Sequence, residues 1–429
     1  MKVLVLGGAV SGRAAARLAR RLGHDVALYD HTAAATHDLP EGVGAHQGAW
    51  DPELLGGVDL VVTSPGIPEG ASPVADALAT GVPLVSELEF GASHLEVPYV
   101  AVTGTNGKTT VTEAAAAMLG ASGMRSVAAG NVGLALCDVV GEPWDVVAVE
   151  ASSFQLRFID RFHPSAAAIL NIAPDHLDWH TDLDGYAAAK ARIHENQGRG
   201  DLVAYPVDDP VAAAAAAGAR SRRVPVSGTH RPPGGNGPEG GRLHIEDLDF
   251  LVPDLDPVWL YDLTVAGTLA RSQGATAAGI GSVIEGFGPG PHRRRVVAVR
   301  HGVTWIDDSK ATNPHAAAAA ASAYPSVVLI AGGRNKGLDL APMMAVPTIR
   351  RVLAIGEATD ELVAAGGELV TPVTDMAAAV ELAAAIARRG DTVLLAPGCA
   401  SFDMFDDYAH RGEVFAGAVA GLEEADRDR

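Results

Sequence analysis

The sequence predicts an α/β protein made of three successive strand–loop–helix blocks, and three observations point there. Short apolar runs recur along the 429 residues and end in glycine or polar turns, as at Val3–Leu6, Val146–Glu150 and Val327–Ala331. Alanine-rich stretches of helical length separate them. One junction is especially informative. The apolar run Pro98–Val102 leads into Thr103-Gly104-Thr105-Asn106-Gly107-Lys108-Thr109-Thr110, and a helix-like run, Val111–Leu119, follows. A strand feeding a glycine loop and then a helix offers backbone N–H groups and a positive helix end to an anion.

Taken in order, the first block pairs Val3–Leu6 with the loop Gly7-Gly8-Ala9-Val10-Ser11-Gly12 and the helical Arg13–Leu22. A strand at Asp25–Tyr29 ends at Asp30, and another, Asp59–Thr63, ends in the turn Ser64-Pro65-Gly66-Ile67. Ala9 stands where a dinucleotide fingerprint has its middle glycine, so another phosphorylated ligand is favoured over a dinucleotide. The second block starts near Val97 and adds strands at Val146–Glu150 and Ala166–Asn171. The stretch Arg231–Gly241, dense in proline and glycine, is expected to be a flexible loop with no element. The third block starts near His292, with strands at Thr304–Asp307, Val327–Ala331, Val352–Ile355 and Thr392–Ala396. The charged tail Glu423–Arg429 is expected to fray.

The formal charge is −20, which disfavours nucleic acid and anionic membranes as partners and requires local basic residues wherever an anionic substrate binds. Two cysteines, Cys137 and Cys399, make a disulfide framework or a cysteine-based zinc site a poor expectation. No run approaches a membrane span, and Met1-Lys2 passes straight into a strand. A cytoplasmic protein is expected.

Candidate chemistry gathers at strand ends, where open α/β sheets bind ligands. In the glycine loop, Lys108 can reach outer phosphates and the Thr109 hydroxyl can ligate a phosphate-bound magnesium ion, although Val102 replaces the first glycine of the usual phosphate-loop spacing. Glu150, within Val149-Glu150-Ala151-Ser152-Ser153-Phe154-Gln155, and His176, within Pro174-Asp175-His176-Leu177-Asp178, are oxygen and nitrogen donors suited to such a metal. Each alone reads sooner as a turn or a helix cap than as a site. Lys190 lies in a helical run and by itself reads as a surface lysine. Three polar strand ends in the last block, Asp307–Asn313, Gly332–Gly337 and Ala396–Asp403, imply a crevice. There Lys310 and Lys336 supply positive charge.

The ordered set Gly104–Thr110, Glu150–Leu156, Asp308–Asn313 and Cys399–Asp403 resembles the Mur ligases across nearly the whole chain. The short first block, opening at a glycine loop, is similar to the D-glutamate-adding branch. The resemblance implies three domains. Residues 1–92 would form a Rossmann-like UDP-substrate domain, 93–291 a central P-loop ATPase-like domain, and 292–429 a C-terminal Rossmann-like glutamate domain. It implies an ATP-dependent amide ligase that joins D-glutamate to UDP-N-acetylmuramoyl-L-alanine through an acyl phosphate, and a monomer. By the same resemblance Gly104, Thr105, Asn106, Gly107, Lys108, Thr109, Thr110, Arg293 and Asp308 would bind ATP. His292 and Lys310 would close over it. Thr109, Glu150, His176 and a carbamylated Lys190 would serve the magnesium ions. Ser11, Asp30, Gly66 and Asn131 would face the uridine substrate, and Thr312, Lys336, Ser401, Phe402 and Tyr408 the glutamate side. Where the family has G-x-H-N-x-x-N-A on an adenine-contacting helix, Gly267-Thr268 runs directly into Leu269–Gly274, so about three turns and their asparagines are expected to be missing. A relative adding another amino acid such as L-glutamate, and a non-catalytic uridine-nucleotide-binding regulator, are the alternatives. A plain phosphate-loop phosphatase or kinase leaves the third block unexplained.

Overall fold

The computed structural model describes residues 1–429 except 33, 34, 36–38, 132, 181, 253, 254, 287, 289, 428 and 429. Its contacts divide the chain into two compact units, Met1–Ile172 with Trp179–Phe287, and Ala173–Asp178 with Gly288–Arg429.

The first unit contains three sheets. Strands β1 (Lys2–Leu6), β2 (Asp25–Asp30), β3 (Val43–Gln47), β4 (Leu60–Thr63) and β5 (Leu84–Ser86) form a parallel sheet in the order β3-β2-β1-β4-β5. Strands β6 (Tyr99–Thr103), β7 (Ser126–Gly130), β8 (Val146–Glu150), β9 (Ala166–Ile169), β10 (Leu202–Pro206) and β11 (Arg222–Val226) form a second, also parallel, ordered β11-β10-β9-β6-β8-β7. Every residue of β6 and β8 is buried, which is why these strands read as continuous apolar runs and not as alternating ones. The helix Lys108–Ala121 covers this sheet, with Val111, Ala115 and Leu119 in the same apolar cluster as Val100, Val102 and Ala148. Many small alanines on its buried face let it lie close to the strands.

The third sheet is antiparallel: β12 (Gly237–Glu239), β13 (Arg242–Ile245) and β14 (Leu248–Leu251), ordered in sequence. It corrects the expected structureless loop over Arg231–Gly241. Gly237-Pro238-Glu239 has no β propensity of its own and is a strand only because β13 pairs with it. Leu243 and Ile245 of β13 are fully buried against the helix Pro257–Ser272.

That helix supplies a second correction. It is continuous over 16 residues and capped by the Asp256 carboxylate, which accepts from Val258 and Trp259 N–H groups. Gly267 sits in its interior, where a β-carbon would lie 2.6 Å from Ile245 Cδ1. The turns expected to be missing are therefore present, ahead of Gly267 instead of after it. They carry Trp259, Tyr261 and Asp262 in place of asparagines.

In the second unit, β15 (Arg295–Arg300), β16 (Val303–Asp307), β17 (Val327–Gly332), β18 (Ile349–Ile355), β19 (Val370–Pro372) and β20 (Thr392–Gly398) form one sheet, ordered β15-β16-β20-β17-β18-β19. Only the β15–β16 pair is antiparallel. The last helix, Tyr408–Arg427, continues into the tail expected to fray. Residues 428 and 429 lie outside the described residues.

Candidate active site

The phosphate loop is built by β6, β9 and the helix that starts at Lys108. Gly107 precedes that helix with φ +84°, a left-handed conformation that favours glycine. A β-carbon there would also lie 3.0 Å from Asp262 Oδ1 and 3.2 Å from Leu170 Cδ1. Asn171, just past β9, holds the loop from the other side. Its carbonyl accepts the Thr105 N–H at 2.9 Å, its Oδ1 accepts the Asn106 N–H at 2.8 Å, and its amide donates to the Asn106 carbonyl at 3.0 Å.

Of the expected phosphate and metal residues, Lys108, Thr109, Glu150 and Lys190 converge here. Lys108 Nζ donates to the carbonyls of Gly104 (2.9 Å) and Thr105 (3.0 Å). The Thr109 hydroxyl donates to Glu150 Oε2 at 2.8 Å, and both residues are buried. Asn131 at the end of β7 donates its side-chain amide to Glu150 Oε1 at 2.9 Å, so this expected substrate residue is engaged with the metal candidate. Lys190, only 1% exposed, donates to the Gly104 carbonyl at 2.7 Å, and its Nζ lies 4.4 Å from the Tyr186 ring centre. It is not a solvated surface lysine. Thr110, in the first turn of the helix, is buried. Thr109 and Glu150 are hard oxygen donors, a set that fits magnesium completed by phosphate oxygens and water. No group of three or more His, Cys, Asp or Glu residues able to hold a metal occurs among the described residues. No described helix is long and apolar enough to cross a membrane.

At the first sheet, Asp30 closes β2 and its carboxylate accepts the N–H groups of Gly8 and Thr32, each at 2.8 Å. Burial pushes its pKa up, but those two donors together with the Thr32 side chain and the nearby His31 outweigh burial and leave it below the usual carboxylate value. Ser11 is half-buried near the start of the first helix, and Gly66 is open within a turn in which Ile67 N–H bonds the Ser64 carbonyl.

The second unit gathers the remaining candidates. His176, at φ +54°, belongs to the segment grouped with this unit, and its N–H bonds the neighbouring Asp175 carboxylate at 3.0 Å. Asp175 also receives Lys336 Nζ at 3.2 Å and the Asn313 amide at 3.3 Å. Asp308 follows β16; burial pushes its pKa up to about 6 against the opposing charge of Arg294, whose N–H it accepts at 3.2 Å. Arg293 precedes this donor. Lys310 Nζ lies 3.8 Å from the Tyr408 ring centre. Thr312 is half-buried after Lys310, Ser401 is buried after β20, and Phe402 is 65% exposed.

Arg411 was not legible in the sequence. A helical arginine ordinarily faces solvent, yet this one is completely buried. Its guanidinium donates to Ser309 Oγ (3.0 Å), the Ser309 carbonyl (2.9 Å), the Cys399 carbonyl (3.1 Å) and the Gly332 carbonyl (3.4 Å). It thereby ties together the ends of β16, β17 and β20, from which Lys310, Lys336 and Ser401 project. Burial lowers its pKa to about 10, still cationic at neutral pH.

Comparisons with known proteins agree with this architecture. Residues 1–86 match the Mur ligase MurD-like N-terminal domain, 102–230 the Mur ligase middle domain, and 292–399 the Mur ligase glutamate ligase domain. A UDP-N-acetylmuramoylalanine–D-glutamate ligase of Frankia casuarinae is 43% identical, covering 99% of this chain and 94% of that one. The Mycobacterium avium protein of the same name is 39% identical over 97% and 96%. Among solved structures, MurF from Acinetobacter baumannii shares the fold at TM-score 0.61 and 17% identity, covering 87% of this chain and 93% of that one. A pseudomurein peptide ligase type C from Methanothermus fervidus does so at 0.59 and 17%, covering 92% and 96%. The chain belongs to the Mur ligase family.

Proposed function

We propose that this chain is an ATP-dependent ligase that joins D-glutamate to UDP-N-acetylmuramoyl-L-alanine in peptidoglycan precursor synthesis, acting as a monomer in the cytoplasm. The observation that carries the reading is the phosphate loop, where Lys108, Lys190 and the Thr109–Glu150 pair meet within hydrogen-bonding distance of one another or of the same carbonyl. The near full-length relatives of that name support it.

In this reading residues 1–92 hold the uridine substrate through Ser11, Asp30 and Gly66. Residues 93–291 hold ATP through Gly104–Thr110, and residues 292–429 hold glutamate through Thr312, Lys336, Ser401, Phe402 and Tyr408. Arg293, Asp308 and Lys310 serve ATP from the last domain. The substrate carboxylate oxygen attacks the γ-phosphorus of ATP and ADP leaves with the bridging electron pair. The glutamate amine then attacks the acyl carbon, and phosphate departs as the amine loses a proton. Lys108 neutralises charge on the transferring phosphoryl group, and the loop N–H groups orient it. Magnesium, when bound, would offset phosphate charge, with Thr109 and Glu150 as its protein ligands and His176 serving a second ion. Lys190 would carry a carbamate in the working enzyme, its neutral amine attacking carbon dioxide and releasing a proton, which would turn a donor at Gly104 into a carboxylate-like group able to serve a magnesium ion.

Phosphate release with UDP-N-acetylmuramoyl-L-alanine, ATP and either D- or L-glutamate tests the reading. Release that requires the D-isomer supports it. Release with L-glutamate alone moves the specificity, and none with either isomer removes the catalytic assignment.

A further inference from the structure

Glu150 and Lys190 reach the phosphate loop from two elements whose ends need anchoring. Glu150 closes β8, and Ala151 and Ser152 lead at once into a helix of five residues, Ser153–Arg157. A capping box of Ser152 and Gln155 secures its start. Lys190 stands one residue before the end of the helix Leu183–Ala191. So short a helix is marginal on its own, and the last carbonyls of any helix lack intrahelical donors. Both elements therefore depend on what holds their C-terminal ends.

One side chain joins the two ends. Arg192, in the tight turn Arg192–His194 that follows Lys190, donates Nη1 to the carbonyls of Leu156 (3.0 Å) and Arg157, and Nη2 to that of Ile159 at 2.8 Å. Glu195 fixes the guanidinium plane, accepting Nε on Oε2 and Nη2 on Oε1, each at 2.8 Å. The segment that Arg192 grips is also held by other groups. Glu89, 3% exposed, accepts the N–H groups of Asp160 (3.0 Å), Arg161 (3.0 Å) and Phe162 (2.9 Å), and the Phe158 carbonyl accepts the Ser86 N–H at 2.7 Å. Asn196 donates to the carbonyls of Asp160 at 2.9 Å and Phe162 at 3.2 Å. Every residue from Leu156 to Phe162 thus has a backbone group bonded to one of these side chains or to Ser86, which gives Arg192 a fixed base to pull against.

We propose that Arg192 is a positioning residue of the metal site, which sets Lys190 against Glu150 by locking the end of one element to the end of the other. This rests on the reading of Lys190 as carbamylated and of Glu150 as a magnesium ligand. A planar guanidinium suits the task, because its fork reaches several carbonyls in fixed directions where an ammonium is a single point charge. Its bonds run to backbone carbonyls and to Glu195, so it acts through Lys190 and not on the substrate. A carbamate is stabilised by the positive charge of the ion it serves, so a displaced Lys190 also holds carbon dioxide less tightly.

The test uses the full chain as R192K and R192Q, with E195Q as a milder variant that loosens the guanidinium without removing it. Carbamate occupancy of Lys190 is followed by carbon-13 NMR during a titration with labelled bicarbonate. The KM for magnesium and the equilibrium affinity for UDP-N-acetylmuramoyl-L-alanine are measured beside it. Both Arg192 variants are expected to raise the magnesium KM and the bicarbonate needed for half occupancy about tenfold or more, as the loss of a residue supporting a metal ligand does. E195Q moves both values in the same direction by less. Uridine-substrate affinity stays within about threefold of the wild type in all three, because that site lies on another sheet. Wild-type magnesium and bicarbonate dependence in R192Q, even with a lowered Tm, would make Arg192 a helix cap only and overturn the proposal. Should R192Q fail to fold, unchanged values in R192K and E195Q overturn it equally. A wild-type chain that takes up no carbon dioxide at Lys190 overturns the carbamate reading and the proposal with it, an outcome distinct from the other two.

Discussion

Replacing Glu87 by glutamine should abolish a specific pH dependence of stability in the first unit. Glu87 follows β5, is fully buried, and accepts the Cys137 N–H on Oε1 at 2.7 Å, while Oε2 has no hydrogen-bond partner. Burial pushes its pKa from 4.5 up to about 7, against the lowering effect of the Cys137 donors. The folded protein thus holds this proton more tightly than the unfolded chain does. The resulting stabilisation is complete below the unfolded value and is lost as pH rises through about 7. The rise from 4.5 to about 7 corresponds to about 3 kcal/mol across that window. Glutamine, which is neutral throughout, keeps the acceptor for Cys137 and removes the titration. Denaturant unfolding of wild type and E87Q, followed from about pH 5 to about pH 8, should show the wild type losing about 3 kcal/mol relative to the variant. E87Q should be the more stable protein at the alkaline end. A difference between the two that stays constant with pH would refute the buried-titration argument.

The remaining predictions concern the site itself. K108A should lower turnover at least a hundredfold, about 3 kcal/mol of barrier, with little change in uridine-substrate affinity by equilibrium binding; wild-type turnover would remove the phosphate-loop assignment. Lys190 should show the mass gain of one carbon dioxide in native mass spectrometry with bicarbonate present, and K190A should be nearly inactive. An unmodified, dispensable lysine would reverse that assignment. R411K should destabilise the second unit by about 2–4 kcal/mol, because an ammonium cannot satisfy four carbonyl and hydroxyl acceptors arranged for a planar guanidinium. It should also raise the KM for glutamate more than the KM for ATP, and equal effects on both would deny Arg411 a role in setting the three strand ends.

Most of the first-order architecture was legible because it is encoded locally. A buried parallel strand must be apolar along its length, as β6 and β8 are, and a glycine at φ +84° ahead of a helix leaves its mark in sequence as Gly107-Lys108. Glu150 stood out through its place in the ordered motif set, whereas Lys190 stood out only through the family resemblance. What sequence misplaced were features made by pairing at a distance. β12 is a strand because β13 lies beside it, and the turns ahead of Gly267 were overlooked because Asp256, Trp259 and Asp262 do not spell the expected asparagine pattern.

Tertiary structure alone decided which polar side chains are partners. Asn131 on Glu150, Asp175 between Lys336 and Asn313, and Arg411 across three strand ends join residues 12 to 161 positions apart. Sequence determines that a lysine or an arginine is present and that its helix forms. It does not record whether the charged end meets water or a cluster of buried carbonyls, because that depends on which strand ends the fold has brought beneath it, and burial is what separates a surface cation from a structural one.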